Sequence, residues 1–496
     1  MRYTTSSPLI GIQIGAVSFV DEGVPQVLDT LQDTAAVNAL FLATPTWTRG
    51  SGGRQRPGHP FPDHGGQEPD PEWAGGNYAR VHPEFYGGTV LGAAGQSTEH
   101  PDFDILGDVI PAAKARDIAC FAFMDESAWS HTLRTYPNFP KVLEIDIWGR
   151  PSPRPCLNNP DYRLWYLGIV EDYAKSYDLD GLIMCSERPG PLNHVMQGPC
   201  PASLATCFCP HCRELGRERG IDPVRARDGF RELVAWNETI SAEGNAPDGA
   251  FVSFWRILLE YPEVLAWQQF WWDSQHSLYQ QIYGVAKACR DDLSVGWHIF
   301  HNLSLSPFYR AGVRYDRMVP YSDFLKVVVY HTAAGPRFVS WIRNIRQALL
   351  ADFGEDEAIR LISAMMQLDE PDVETILTSG FSTRYVAREI DRAVRTVAGG
   401  CDIYAGVDID IPLGAGSITL TDDERAAKAS TGLVETAAAG PGFAVSSRES
   451  VAGSVTAALD AGAQGVVLSR KYAEMTLDHL GGARDAIEAR QPLPAR

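Results

Sequence analysis

A chain of 496 residues, 45% apolar and 21% charged, has the composition of an ordinary globular protein and is long enough for a heavily decorated barrel. Its formal net charge of −19 argues against nucleic acid and against an anionic membrane as partners, because both need a basic face. No run approaches the roughly 18 apolar residues of a membrane helix. Met1 to Leu9 lacks the basic stretch and long apolar core of a secretory signal, so the expected location is cytoplasmic.

Eight apolar segments read as strands, separated by helical segments or long insertions. The first is Leu9 to Ala16, followed by a helix of period about 3.6 over Val24 to Val37. The second, Ala39 to Thr46, leads into a stretch rich in Gly, Pro and His that carries Trp73, Tyr78, Phe85 and Tyr86. Loops this long are functional lids or disordered; the aromatics favour a lid over a ligand, placed at 48–103. A helix over Ile105 to Arg116 precedes the third strand, Ile118 to Met124, which ends in Asp125 and Glu126. Val142 to Trp148 is an extra strand or hairpin outside the main set.

The helix Pro160 to Tyr177 feeds the fourth strand, Leu182 to Met184, which closes on Cys185, Ser186, Glu187 and Arg188. An insertion at 193–292 carries a cysteine cluster and a long helix, Pro262 to Arg290, whose Trp267, Phe270, Trp271 and Tyr279 are assigned to packing. The fifth strand, Leu293 to Phe300, has His298 and His301 near its end, and the sixth, Phe324 to Tyr330, runs to His331 and a loop, Thr332 to Pro336. Helices follow at Trp341 to Leu350, Leu361 to Met366 and Tyr385 to Val397. The seventh strand is Asp402 to Asp410; the eighth, Gly465 to Leu468, is reached by the helix Ser450 to Leu459. Alternating strands and helices imply an α/β fold with a parallel sheet and right-handed crossovers. Eight such units predict a closed (β/α)8 TIM barrel spanning 1–496 as a single decorated domain. The rival open sheet lacks its G-x-G-x-x-G or Walker loop.

In C-D-I-Y-A-G-V-D-I-D-I-P, alternation sets Cys401, Ile403, Ala405, Val407 and Ile409 on one face and Asp402, Tyr404, Gly406, Asp408 and Asp410 on the other. The apolar face belongs against the helices, which turns the acidic face into the barrel. Asp408 and Asp410 lie nearest the C-terminal mouth, where barrel enzymes keep their chemistry; Asp402 is deeper and structural. Glu187 is expected to face one of them across the opening. Two carboxyl groups in unlike environments supply an acid and a base or nucleophile, the requirement for cleaving a glycosidic bond. A separation of about 5 Å indicates retention, a larger one inversion. The plain alternative is that Glu187 pairs with Arg188 and that each Asp orients a hydroxyl or meets a basic group.

Trp47, Asp125, Glu126, Arg188, His298, His301, Tyr330 and His331 stand at other strand ends. They suit hydrogen bonds to vicinal hydroxyls and stacking on a sugar face, so a small carbohydrate is the expected substrate. Two other classes compete: a metal-dependent sugar isomerase or lyase using Asp408, Asp410, Glu187 and a His, and a catalytically inactive carbohydrate-binding relative. A homo-oligomer is left open.

Nine cysteines, an odd number without an export signal, argue against a disulfide framework. Cys207-Phe-Cys209-Pro-His-Cys212 is C-x-C-x2-C. Thiolates this close suit a tetrahedral Zn2+ better than mutual pairing. The fourth ligand is Cys156 or Cys200, with His211 disfavoured by its neighbour Cys212.

In three places the sequence resembles glycoside hydrolase family 42, the β-galactosidase type of clan A. Cys156-Leu-Asn158-Asn-Pro160-Asp-Tyr162-Arg163 is similar to the family's Cys-x-Asn-x-Pro-x-Tyr/Phe-Arg segment. Glu187 stands where the family carries its acid/base Glu, and Cys207, Cys209 and Cys212 match its C-x-C-x2-C. The resemblance covers residues 150–215 well and the rest as a barrel. It implies a glycoside-hydrolase-like protein with Cys156 as fourth ligand to a structural zinc. Ser186 replaces the family's Asn, and Asp408 and Asp410 replace its strand-seven Glu. The expected activity is hydrolysis of a small glycoside or oligosaccharide, retention being expected, with Glu187 as acid and Asp408, or Asp410 in reserve, as nucleophile or base.

Overall fold

Eight parallel strands close on themselves. In chain order the strands are β1 (Leu9–Ile14), β2 (Ala39–Ala43), β3 (Ala119–Asp125), β4 (Leu143–Ile145), β5 (Pro151–Pro155), β6 (Gly181–Cys185), β7 (Ser294–Ile299), β8 (Phe324–Val328), β9 (Asp402–Asp408) and β10 (Gly465–Ser469). Around the barrel the order is β1-β10-β9-β8-β7-β6-β3-β2, while β4 and β5 pair antiparallel beside it. The computed structural model describes residues 7–47, 51–54, 61–70, 73–93, 95–126, 136–198, 200, 204–244, 246–411 and 446–490. Parts of the expected insertions at 48–103 and 193–292 lie outside these, at 48–50, 55–60, 71–72, 94, 199, 201–203 and 245.

The barrel interior is filled by large side chains set against small ones. Phe41 stacks on Phe121 with centroids 4.8 Å apart, and Phe324 packs edge-on to Phe121 and tilted against Tyr404. These rings fit because glycine faces them: a Cβ on Gly296 would lie 2.3 Å from the Phe324 ring, and one on Gly181 2.5 Å from Phe121. The outward face of β9, with Ile403, Ala405 and Val407, joins the core under the helices, as its alternation predicts. Tyr404 faces inward.

Five strands, β1, β2, β7, β8 and β9, end earlier than expected, and for three of them a local reason is visible. Gly15 caps the helix Ala16–Glu22, which stops β1. Tyr330 is the N-cap of a helix over His331–Ile345, so Thr332 to Pro336, expected as loop, is helical with Pro336 inside it. Asp410 has φ of +50°, a left-handed conformation that ends the extended run of β9. Of the aromatics expected in a lid, Tyr78 and Tyr86 are buried in the core; Tyr86 donates to Asp172 Oδ2 of the helix Pro160–Ser176 at 3.1 Å.

The hairpin β4–β5 and the helices after β6 form a shoulder beside the mouth. The 27-residue helix Glu263–Cys289 runs through it. Trp267 stacks on Phe208 at 4.9 Å and Tyr279 on Trp297 at 4.3 Å, so the aromatics assigned to packing do pack. Among the described residues no helix is long and apolar enough to cross a membrane.

Candidate active site

Glu187 lies two residues beyond the C-terminal end of β6, just before Pro189 and Gly190 open a short helix, Pro191–Val195. Its side chain is 41% exposed, the most open of the carboxylates singled out at the mouth. His298, on the neighbouring strand β7, donates Nε2–H to Glu187 Oε1 at 3.2 Å. Burial alone would raise the Glu187 carboxyl; the His298 hydrogen bond and charge, followed by Arg337 and Lys326, outweigh it and hold the group below the ordinary carboxylate range. Burial and the adjacent Lys326 keep His298 below its own ordinary value, and its buried Nδ1 has no hydrogen-bond partner among the described residues.

The two aspartates of the seventh barrel strand, β9, are held by other partners. Asp408 is 1% exposed; Oδ2 accepts from the Ala333 amide at 2.9 Å and Oδ1 from His331 at 3.1 Å. It thereby satisfies the N-terminus of the helix His331–Ile345, where an anion is favoured. Asp410 is held by the segment after β10: Thr476 donates backbone N–H at 2.8 Å and its hydroxyl at 3.0 Å, and His479 lies at 2.7 Å.

Several strand-end groups serve the shoulder. Glu126 and Arg188 form a buried ion pair at 2.9 Å, and Arg188 also meets Glu144 at 2.8 Å and the Pro155 carbonyl at 3.0 Å. Tyr162 and Ser186 donate to Glu126, while Thr206 donates to Glu144. Arg188 thus answers to Glu126 and Glu144, and Glu187 stays free of it. Trp47 is buried and donates to the Tyr136 hydroxyl at 3.3 Å; Asp125 accepts from Ser51 at 3.3 Å.

The sixth barrel strand, β8, supplies what sequence inspection missed. Lys326 is fully buried, its ammonium hydrogen-bonded to Gln13 Oε1, which also accepts from Ser469 at 2.8 Å. Burial draws Lys326 down to about 7, opposed by Cys185 and Glu187. Its ammonium lies 6.0 Å from the centre of the Tyr330 ring, and the Arg337 guanidinium lies 5.9 Å from the same centre. Arg337 donates to His301 Nδ1 at 3.1 Å. A lone charge within the apolar run F-L-K-V-V-V was the available signal, because an isolated buried ammonium needs a reason.

Cys156, Cys207, Cys209 and Cys212 are buried, with all four sulphurs within 4.8 Å of one another. Cys156 Sγ lies 3.5 Å from both Cys209 and Cys212; a zinc tetrahedron with bonds of about 2.3 Å sets sulphurs about 3.8 Å apart. Backbone N–H groups of Ile145, Asn158 and Cys212 point at Cys207, Cys156 and Cys209, each at 3.4 Å, as suits thiolates. The set fits a closed four-sulphur metal site. Cys200 stands apart from it, its amide bonded to Asn237.

Known structures share this architecture. A β-galactosidase from the Antarctic haloarchaeon Halorubrum lacusprofundi superposes with a TM-score of 0.53 at 12% identity, over 98% of this chain and 58% of that one. A β-galactosidase from the psychrophilic Marinomonas ef1 gives 0.52 at 9% identity, over 97% and 59%. In fold, the chain is similar to β-galactosidases. An α-L-fucosidase isoenzyme 2 from Paenibacillus thiaminolyticus aligns over 99% of this chain and 50% of its own, at 14% identity and a TM-score of 0.44. The chain spans between half and three fifths of the length of these proteins. No protein-family profile matches the sequence, and no curated relative does.

Proposed function

We propose that this barrel hydrolyses a glycosidic bond and that Glu187 carries the proton. The observation that supports it is a half-exposed carboxylate at the C-terminal end of the fourth barrel strand, held by a histidine donor, in a barrel similar in fold to β-galactosidases. A bound sugar excludes water from Glu187, which favours its protonated form. The acid then protonates the departing glycosidic oxygen, and the resulting carboxylate takes a proton from incoming water. His298 steers the carboxyl through its Nε2–H bond, and the proton taken from water leaves Glu187 ready for the next turnover.

Asp408 is the proposed second carboxylate, because it ends the seventh barrel strand on the inward face. To act it must give up its bond to His331. That ring has an alternative partner in place: Ser454 Oγ lies 2.8 Å from its Nδ1 and 3.2 Å from its Nε2. Asp410 is assigned to structure. The four-cysteine metal, zinc by its ligand set, would brace the shoulder and take no part in the reaction, since four thiolates leave no open position.

A second function, sugar binding without turnover, is favoured by one specific observation: both Asp408 and Asp410 are engaged by internal donors. A panel of aryl glycosides assayed with the wild type, Glu187→Gln and Asp408→Asn separates the two. Cleavage by the wild type that disappears in folded Glu187→Gln supports hydrolysis, whereas full activity in that variant removes Glu187 from the mechanism. Ligand binding with no cleavage across the panel establishes the binding protein.

A further inference from the structure

We infer that the mouth of the barrel holds an anionic sugar, one bearing a carboxylate or a sulfate, with Arg337 contacting the anion and Lys326 supplying positive charge from beneath. This rests on the mouth being a sugar site and names the class of sugar.

The ground is an imbalance of charge. Lys326 and Arg337 flank one ring, Tyr330, and neither has a carboxylate within ion-pair distance among the described residues. Their polar partners are neutral: the Gln13 amide for Lys326, and for Arg337 the His301 ring, which burial and Arg337 itself hold far below its ordinary value. Arg188 of the shoulder is treated differently; it has two carboxylates of its own. Glu187 is the anion whose charge reaches both cations, and its hydrogen bond goes to His298. Asp408 directs its oxygens to His331 and the Ala333 amide. Among the described residues, Arg337 and Lys326 therefore share one carboxylate, in a chain whose overall charge is −19.

The cost of burying an unpaired ammonium draws the Lys326 amine down to about 7, and a ligand anion would hold it in its charged form. Arg337 is half-buried, so its guanidinium can offer the paired N–H donors that planar anions accept. Lys326 lies deeper, where its charge is poorly screened. The same positive field tells against a cation at the mouth. Cys185, Glu187 and His298 do present ligand atoms within 4.8 Å of one another, but a divalent ion there would meet Lys326 and Arg337 as repelling neighbours.

Calorimetric titration tests the inference on the full chain with three ligands: methyl β-D-glucuronide, galactose 6-sulfate and methyl β-D-galactoside. One charge-assisted hydrogen bond to the anion corresponds to a preference of about 10- to 100-fold over the neutral sugar. Arg337→Gln should abolish that preference, read as the ratio of charged- to neutral-sugar affinity within the variant; Lys326→Met should reduce it, with circular dichroism checking the fold of each variant. Stronger binding of the uronide than of the sulfate assigns the anion as carboxylate, and the reverse order as sulfate. Equal affinity for charged and neutral sugars, or a preference that survives in Arg337→Gln, overturns the inference while leaving the sugar site standing. Failure of all three ligands to bind overturns both.

Discussion

His298 Nε2 lies 3.2 Å from Glu187 Oε1, and this contact favours the ionised carboxylate. Two effects of opposite sign act on Glu187, and the histidine, with help from Arg337 and Lys326, prevails over burial. Removing it should let burial win. His298→Ala is expected to raise the Glu187 pKa, moving the pH limb it governs to higher pH in a rate or ligand-binding profile. The linkage has a definite sign. Because the folded value lies below the unfolded one of about 4.3, the interaction stabilises the protein above that pH and is lost as pH falls through the lowered value. An unmoved limb in His298→Ala would mean that another group sets it.

Asp408 joins β9 to the helix His331–Ile345. Asp408→Ala removes the acceptor for the Ala333 amide and for His331, and a cap of this kind is worth roughly 0.5–2 kcal/mol, so a lower urea midpoint is expected. Asp408→Asn keeps an acceptor oxygen and should recover most of that loss. If Asp408 also serves catalysis, the Asn variant will be stable yet inactive. A stable and fully active Asp408→Asn would restrict the residue to structure.

The cysteine site makes a compositional prediction. Protein purified without chelator should carry zinc bound by thiolates, measurable by elemental analysis. Cys209→Ser should lose it and unfold at lower temperature, because binding energy at a closed thiolate site is folding energy. Cys200→Ser should keep the metal. Equal metal content in both variants would exclude the assigned ligand set.

Arg188 carries two buried carboxylates. Arg188→Met leaves Glu126 and Glu144 buried without their cation, a loss of about 3–5 kcal/mol, to be read from chemical denaturation. The damage should spread to the metal, since Glu144 and Thr206 sit between Arg188 and Cys207. Faster zinc release to a chelator in this variant would register the coupling; unchanged release would place the metal site on its own footing.

The barrel was legible in the sequence because short apolar segments alternate with helical ones, and the face of β9 that enters the barrel follows from alternation alone. The cysteine cluster was equally local: three of its four cysteines fall within six residues, and the family resemblance preferred Cys156 over Cys200 as the fourth. Side-chain partnership was not legible, because it depends on neighbours distant in the chain. Glu187 and Arg188 are adjacent in sequence, yet one turns to His298 and the other to Glu126 and Glu144. Asp408 is committed by an amide that exists as a free donor only because a helix begins at His331. Sequence periodicity determined the barrel and placed its carboxylates at strand ends; which of them stays open, and how Lys326 and Arg337 come to flank one ring, was decided by closure of the strands, which brings side chains from remote segments within hydrogen-bonding distance.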